Sequence, residues 1–442
     1  MSTTETRPPA AAASEPEPRP SLPVRAKSPR RSAAELLTAI AVIVAVALVS
    51  GHVDLLIVIA SIIVIVMVHE LGHLVAAKHG GMKVTEYFVG FGPRLWSFRR
   101  GETEYGIKAL PLGGYVKIPG MTNLEETDPA DESRLYREKP FHSRLLVAVA
   151  GSAMHFLMAF VLLWTLLTFV GVPNSGLVQI QGLDRVGGMP SPAAVGGIQV
   201  GDVVVSVAGR SIRGSVDALT SAIHSRPDQP VTVVVSRRGQ TRTLTVTPAD
   251  GRRLREKGAP PPSGSTPFGL IGVILGSPVQ RATPLHAVAS TGADLRSVAW
   301  GSMVGVGHLF SPNEITQRVN QVTNARAADQ AAADGTRVQS LVGVVHTATQ
   351  AAQAGIGDYL YILILINVFF GIFNLFPMLP LDGGHVAIAV YEKIRTGRRK
   401  VMYHADVAKL LPFTWMMLIF LGIIIVPALL TDILHPAANP FG

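Results

Sequence analysis

Five apolar runs spread along the chain constrain its fold more than any other feature of the sequence. They lie at residues 33–50, 54–78, 145–170, 359–379 and 411–430. About 20 apolar residues in a helix cross the roughly 30 Å hydrocarbon core of a bilayer. The last four runs reach this length, whereas the first is short and has Glu35 near one end. The sequence therefore predicts a polytopic α-helical membrane protein with four to five spans.

The composition supports a membrane protein and excludes several functions. Only 16% of the residues are charged, against about 25% in ordinary soluble domains. The net charge of +9 comes mostly from arginines, which are scattered without interleaved aromatic residues, so no nucleic-acid partner is expected. The chain has no cysteine, which excludes disulfides, thiolate metal sites and a cysteine nucleophile.

The segments between the apolar runs differ in character. Residues 82–120 mix β-branched and aromatic residues with glycine-rich turns, which predicts a membrane-associated β-meander. Residues 277–356 are ambiguous, since part could form an amphipathic helix on a membrane surface, while 313–337 is polar and predicted to be a loop. The predicted division is a disordered cytoplasmic tail (1–32), a helical hairpin (33–78), a β-loop with a solvated cytoplasmic linker (79–143), a core span (144–172), an extracytoplasmic β-rich domain (173–276), a linker (277–356) and two spans joined by a basic loop (357–442).

Basic residues near the ends of the spans predict the orientation of the chain. They fall in four groups, within residues 25–31, 78–100, 137–144 and 393–400. Five alternating spans place all four groups on one side, which is the cytoplasmic side by the positive-inside rule. Residues 173–356 then lie outside the cytoplasm. If residues 33–50 do not span, the tail moves outside and the other segments keep their orientation.

The second apolar run contains the central chemical signal. His69, Glu70 and His73 form the pattern His-Glu-x-x-His. Histidines four apart on a helix share a face, so both imidazoles can bind one Zn²⁺ ion, and the glutamate can take a proton from a zinc-bound water. Ionisable residues at membrane depth are costly and functional by default. The alternative is a polar trio at the end of a span that reaches towards the headgroups.

A later segment offers the third metal ligand. Residues 374–384 contain two prolines and two glycines that break the helix, with Asp382 between them. Non-helical backbone at membrane depth is tolerated where it is buried in protein or lines a wet cavity, so the Asp382 carboxylate could complete a site with both histidines. A turn or capping role is the alternative. Asn374 is a candidate for binding the substrate backbone, although a structural polar role is nearly as plausible.

These two motifs together resemble the site-2 protease family of intramembrane zinc metalloproteases. The order of segments is similar to the bacterial RseP-type subgroup, which carries a PDZ domain. The resemblance covers most of residues 54–430. It implies that His69, His73 and Asp382 bind zinc and that Glu70 is the catalytic base.

The resemblance extends to both β-rich segments. The stretch Gly90-Phe91-Gly92-Pro93 looks like part of the family's membrane-reentrant β-loop. An exposed strand edge there could pair with an unwound substrate helix, which makes Gly90 and Gly92 candidates for substrate binding; a simple structural hairpin is the alternative. Residues 191–194 and 201–207 resemble a PDZ domain, which binds peptide ends by strand addition, although any small β-domain could carry this pattern. Such a domain could recruit a trimmed substrate or exclude an uncut one.

One position departs from the family pattern. His155 stands in the third long run where the family usually has an asparagine. The side chain could face the metal site or be a hydrogen-bonded core histidine, and the second interpretation is favoured.

The expected function is that of a zinc metalloendopeptidase in the cell membrane, with its active site towards the cytoplasm. By resemblance, its substrates are single-span regulatory proteins such as anti-sigma factors, cut within the transmembrane segment during regulated intramembrane proteolysis. The expected partners are this substrate, the lipid bilayer and a peptide ligand of the PDZ-like domain. A membrane scaffold with a relict metal site is a rival, but such a site needs no glutamate base. A transporter is another, but the spans show no inverted repeat.

Overall fold

The fold combines membrane-length helices with two β-rich regions. The computed structural model describes residues 29–121, 128–185, 188, 190–212, 214–253, 267–334, 336–397 and 403–441. Most of the predicted tail at 1–32 and the basic residues 398–400 lie outside these residues. The helices are α1 (Pro29–Ser50), α2 (Val53–His79), α3 (Phe141–Thr165), α4 (Pro192–Val195), α5 (Val216–His224), α6 (Pro284–His308), α7 (Pro312–Thr323), α8 (Ala325–Ala333), α9 (Leu341–Ala354), α10 (Ile356–Asn374), α11 (Asp382–Thr396) and α12 (Leu411–Leu434).

Four of these helical segments are long and apolar enough to cross a membrane. They comprise Val53–His79, Phe141–Val170, Ile356–Asn374 and Val407–Leu434, where one π-helical turn extends α3 and one 3₁₀ turn precedes α12. The four long runs are therefore confirmed as membrane-length helices. The apolar part of α1, Ala34–Ser50, is shorter, and a fifth span stays a prediction.

Glycines allow the spans to pack closely around α3. A Cβ atom on Gly72 of α2 would lie 2.7 Å from the carbonyl oxygen of Ala150 on α3. A Cβ atom on Gly371 of α10 would lie 3.2 Å from the Cβ atom of His155. Small residues at such crossings let helix backbones approach in a membrane, where packing rather than water exclusion drives association. As a result α3 packs closely against α2, which carries His69 and His73, and against α10, which precedes Asp382 in the chain.

The first β-rich region consists of β1 (Glu86–Arg100) and β2 (Thr103–Lys117). Both strands bend, so residues 86–89 pair with residues 104–107 on one side and with residues 114–117 on the other. The Tyr87 hydroxyl donates to the Met67 carbonyl at 2.9 Å and holds this region against α2. The predicted β-meander is present.

The second β-rich region is a six-stranded sheet in the order β11-β4-β5-β7-β8, with β6 paired to β5. The remaining strands of the chain are β3 (Val172–Pro173), β4 (Val178–Leu183), β5 (Val203–Val207), β6 (Arg210–Ser211), β7 (Val231–Arg237), β8 (Gln240–Val246), β9 (Ala249–Asp250), β10 (Gly269–Leu270), β11 (Val273–Gly276) and β12 (Val279–Gln280). Valines and isoleucines of the sheet pack against α5 in one apolar core. The β-rich segment at 173–276 is present, and its likeness to a PDZ domain stays a prediction.

An ion pair with a buried aspartate joins two neighbouring strands inside this second region. Arg237 donates two hydrogen bonds of 2.7 Å to the Asp202 carboxylate, which is fully buried. These bonds hold the pKa of Asp202 below its ordinary value. The aspartate therefore remains charged and links the turn before β5 to the end of β7.

Two segments contain more structure than the sequence predicted. The polar stretch 313–337 was predicted to be a loop, and this prediction is wrong because α7 and α8 occupy most of it. Most residues of α8 are alanine, the best helix former, and the Asn324 side chain caps it by accepting from Ala327 N at 3.3 Å. The linker near 121–142 was predicted to be solvated, but Leu135 and Tyr136 are buried, and Tyr136 packs in a core with residues of α2 and α3.

The fourth span ends earlier than predicted. Helix α10 stops at Asn374, and α11 begins at Asp382 after a non-helical segment. Pro377 and Pro380 lie in this segment and remove backbone donors that a helix needs. The predicted basic loop at 393–400 begins as helix, because α11 continues to Thr396. Asp382 is therefore the first residue of a separate helix rather than the end of the span.

Candidate metal centre

Helix α2 presents two imidazoles to the same point. His69 and His73 lie one turn apart, and their Nε2 atoms are 3.2 Å apart. Both side chains are buried. The Nδ1 atom of His73 donates to the Val147 carbonyl at 2.8 Å, which leaves Nε2 free to bind a metal ion.

The break between α10 and α11 brings a carboxylate to these nitrogens. Asp382 Oδ2 lies 3.4 Å from His69 Nε2 and 3.3 Å from His73 Nε2. These three residues form the cluster of potential metal ligands found within the described part of the chain. The structure therefore brings together two motifs that are distant in the chain, since His73 and Asp382 are 309 residues apart.

The spacing of the three atoms fits zinc. Ligands about 2.05 Å from a tetrahedral zinc ion lie about 3.3 Å from one another, and the observed separations are 3.2, 3.3 and 3.4 Å. Asp382 Oδ2 is buried and has no hydrogen-bond partner among the described residues. Two imidazole nitrogens and one carboxylate oxygen are a known ligand set for catalytic zinc. The site can thus hold zinc through three protein ligands and leave the fourth position open.

A glycine on α3 makes room for the cluster. A Cβ atom on Gly151 would lie 2.3 Å from His69 Cε1 and 2.4 Å from His73 Nε2. Real Cβ atoms do not approach so closely, so only glycine lets α3 pass behind both imidazoles. Sequence reasoning missed this residue, although a small residue inside a membrane-length helix is a signal of close helix packing.

Strand β2 passes beside the glutamate of the motif. A Cβ atom on Gly114 would lie 3.2 Å from Glu70 Cγ. Residues 114–117 pair with β1 along one edge, and no other strand in the described residues pairs with their second edge. Glu70 therefore lies between the histidines and a strand with a free edge.

The sequence left open whether His155 faces the metal site or is a hydrogen-bonded core histidine, and its side chain does both. Its ring lies beside that of His69, with centroids 4.8 Å apart, and its Nδ1 atom is 3.1 Å from Asn367 Oδ1. Sequence reasoning missed Asn367, which is completely buried on α10. The available signal was that Asn367 is the one amide in the apolar stretch 359–373, seven residues before Asn374.

The remaining candidates have local explanations. Gly90 and Gly92 have φ values of +84° and +82°, a conformation that favours glycine in a bend of β1. Asn374 is the last residue of α10 and is partly buried. Substrate binding by these three residues stays a prediction.

A buried ion pair fixes the helix that carries Asp382. Arg144 of α3 donates to Glu392 of α11, and both side chains are almost inaccessible to solvent. The other carboxylate oxygen of Glu392 accepts from Ala405 N at 2.6 Å. Because α11 is held against α3 in this way, the Asp382 end of the same helix is held near His69 and His73.

A His-Glu-x-x-His helix and a distant carboxylate, joined within a bundle of membrane-length helices, define a membrane-embedded metallopeptidase. The model of peptidase family M50 matches residues 57–421, so the chain belongs to this family and is a metalloprotease. This confirms the resemblance to site-2 proteases drawn from the sequence.

Curated relatives match along most of the chain. The zinc metalloprotease Rip1 of Mycolicibacterium smegmatis is 33% identical over 401 residues, which cover 85% of this chain and 96% of that protein. The protein of the same name from Mycobacterium tuberculosis H37Rv is 33% identical over 398 residues, with the same coverage.

Proposed function

We propose that this metalloprotease uses zinc to cleave peptide bonds within the membrane, with His69, His73 and Asp382 as the zinc ligands. The observation that carries the proposal is the triangle of ligand atoms with edges of 3.2 to 3.4 Å. The name of the mycobacterial relatives supports zinc as the metal.

Glu70 is the proposed catalytic base. A zinc ion bound at the site would acidify a water and polarise the substrate carbonyl. Glu70 follows His69 directly on α2, so its carboxylate can remove a proton from the attacking water and return it to the leaving amine. The neighbouring strand β2 keeps this side chain partly buried, which limits competing contacts with bulk water.

The free edge of residues 114–117 is the proposed substrate track. A protease needs an extended peptide, whereas a membrane-spanning substrate is helical. Strand addition to this edge would hold an unwound segment by main-chain hydrogen bonds and place it beside Glu70. Gly90, Gly92 and Asn374 are retained as further proposed substrate-binding residues, although Gly90 and Gly92 lie on β1, which pairs with the other edge of residues 114–117.

The substrates we propose are single-span regulatory proteins of the anti-sigma-factor kind, cut in regulated intramembrane proteolysis. We also propose the domain division and the orientation predicted from the sequence, with the metal site towards the cytoplasm and residues 173–276 outside it.

Residues 173–276 are the proposed PDZ-like domain. This domain would bind a peptide, and would either recruit trimmed substrates or exclude uncut ones.

A reconstituted cleavage assay tests the proposed chemistry. The purified protein and a single-span substrate are placed in the same vesicles, and cleavage products are identified by mass spectrometry. Cleavage within the substrate's membrane segment is expected for the natural sequence. It should fall about 10²- to 10⁴-fold in Glu70→Ala, which is the typical contribution of an acid–base group. Undiminished cleavage by Glu70→Ala would refute the role of Glu70, and cleavage only outside the membrane segment would refute the intramembrane site.

A further inference from the structure

The two histidine ligands are supported unequally. His73 is oriented by its hydrogen bond to the Val147 carbonyl, and metal-binding histidines almost always have such a bond on their second nitrogen. The corresponding atom of His69, Nδ1, is buried and has no hydrogen-bond partner among the described residues. A Cβ atom on Gly151 would lie 2.7 Å from His69 Nδ1, so the backbone of α3 passes close to this atom. The orientation of the His69 ring must therefore depend on packing.

The neighbour that packs against His69 is itself fixed. Asn367 Nδ2 donates to the Leu363 carbonyl at 2.8 Å, and a carbonyl can only accept. This sets the orientation of the amide, so Asn367 Oδ1 faces His155 and accepts from its Nδ1 atom at 3.1 Å. The hydrogen bond joins α3 to α10 and fixes both the tautomer and the ring plane of His155.

Burying the polar side chains of His155 and Asn367 in the membrane-length helices costs free energy, and a role at the metal site would account for this cost. Asn367 is 0% exposed and His155 is 3% exposed, and both lie in membrane-length helices. A buried polar group must be hydrogen-bonded to avoid a large desolvation cost, and an apolar pair would avoid that cost altogether. The pair also lies at the one histidine ligand that lacks its own hydrogen bond.

We propose that His155 and Asn367 form a positioning pair that holds the His69 imidazole in the orientation needed to bind the metal ion. This inference rests on the proposed role of His69 as a ligand. His155 is not itself a ligand, because the converging atoms are those of His69, His73 and Asp382. Contact with the His155 ring limits the rotation of the His69 ring, which has no hydrogen bond on Nδ1 to do so.

The test measures zinc affinity in purified full-length protein by competition with a chromophoric chelator, together with the absorption spectrum of the Co²⁺-substituted protein. Asn367→Leu removes the hydrogen bond without altering any group that touches His69. It should lower zinc affinity about 10- to 100-fold, as loss of an outer-shell partner typically does, and should change the Co²⁺ spectrum. His155→Gln, a second variant, keeps a donor towards Asn367 but lacks the ring and should show a similar loss.

Tyr359→Phe is the matched control. Tyr359 donates to Ser61 Oγ at 2.7 Å, so its removal also breaks a hydrogen bond between two spans, here between α10 and α2. It should lower thermal stability without changing zinc affinity or the Co²⁺ spectrum.

The outcomes separate the inference from the proposed function. If both folded variants bind zinc within twofold of the natural sequence, the pair is only a structural link and the inference is overturned. If Tyr359→Phe loses zinc affinity as much as they do, the effect is general loosening of the bundle and the inference also fails. If the natural sequence itself binds no zinc, the proposed function fails.

Discussion

At the scale of single residues, space and orientation determine the metal site as much as the ligands do. His69, His73 and Asp382 supply the donor atoms, but the two imidazoles fit only because Gly151 has no side chain. The ligands follow from sequence because helical periodicity places residues four apart on one face. The glycine's role does not, since it depends on which part of α3 crosses α2.

Gly151→Ala should disrupt the site directly. The added methyl group would push against both imidazoles, so we expect zinc affinity to fall at least about tenfold and cleavage to fall with it. Zinc content after dialysis against a weak chelator measures the effect. Gly422→Ala on α12 is the matched control, because nothing lies within 4 Å of its added Cβ atom. Equal zinc retention by the two variants would contradict the close approach at Gly151.

At the scale of elements, long-range polar contacts hold the metal-binding helices in register. Arg144 and Glu392 are 248 residues apart in the chain, and His155 and Asn367 are 212 apart. Such pairs have no local signature, so the sequence could suggest that each residue is unusual in its apolar setting but not which partner it has. The break before Asp382 was predictable from Pro377 and Pro380. Helix α11 was not, because Gly383 and Gly384, which were expected to break the helix, lie in its first turn.

Breaking the link between α3 and α11 should destabilise the fold. Arg144→Met leaves the Glu392 carboxylate buried without its cation, which typically costs about 3–5 kcal/mol. The double variant Arg144→Met with Glu392→Leu should recover much of that loss, since apolar replacements of buried ion pairs are often tolerated. Thermal unfolding of both variants in the same detergent provides the comparison. A single variant as stable as the natural protein would show that the pair does not hold α11.

At the scale of the whole molecule, the order of elements was largely evident from the sequence. Long apolar runs predicted the four membrane-length helices. β-Branched and aromatic residues between glycine turns predicted the first β-rich region, and alternating strands predicted the second. The region at 277–356 was underestimated, because α7 and α8 are polar and polarity was taken as a sign of loop structure. Alanine content and the Asn324 cap were the overlooked local signals.

The absence of cysteine allows the orientation of the chain to be measured with single introduced thiols. Thr241→Cys lies exposed on β8, and Lys393→Cys lies exposed near the end of α11. In whole cells a membrane-impermeant maleimide, given access to the outer face of the cytoplasmic membrane, should label Thr241→Cys. It should label Lys393→Cys only after the membrane is permeabilised. The reverse pattern would invert the proposed orientation, and labelling of both without permeabilisation would contradict the alternation of spans between them.

X-ray absorption spectroscopy at the zinc edge, on purified full-length protein, tests the metal centre most directly. We predict one zinc ion per chain, bound by two imidazole nitrogens at about 2.0–2.1 Å with oxygen ligands completing the shell. Replacing Asp382 with asparagine should weaken zinc retention while leaving both imidazoles present in the fraction still bound. Protein that binds no zinc, or zinc whose spectrum contains fewer than two imidazoles, would contradict the site described above.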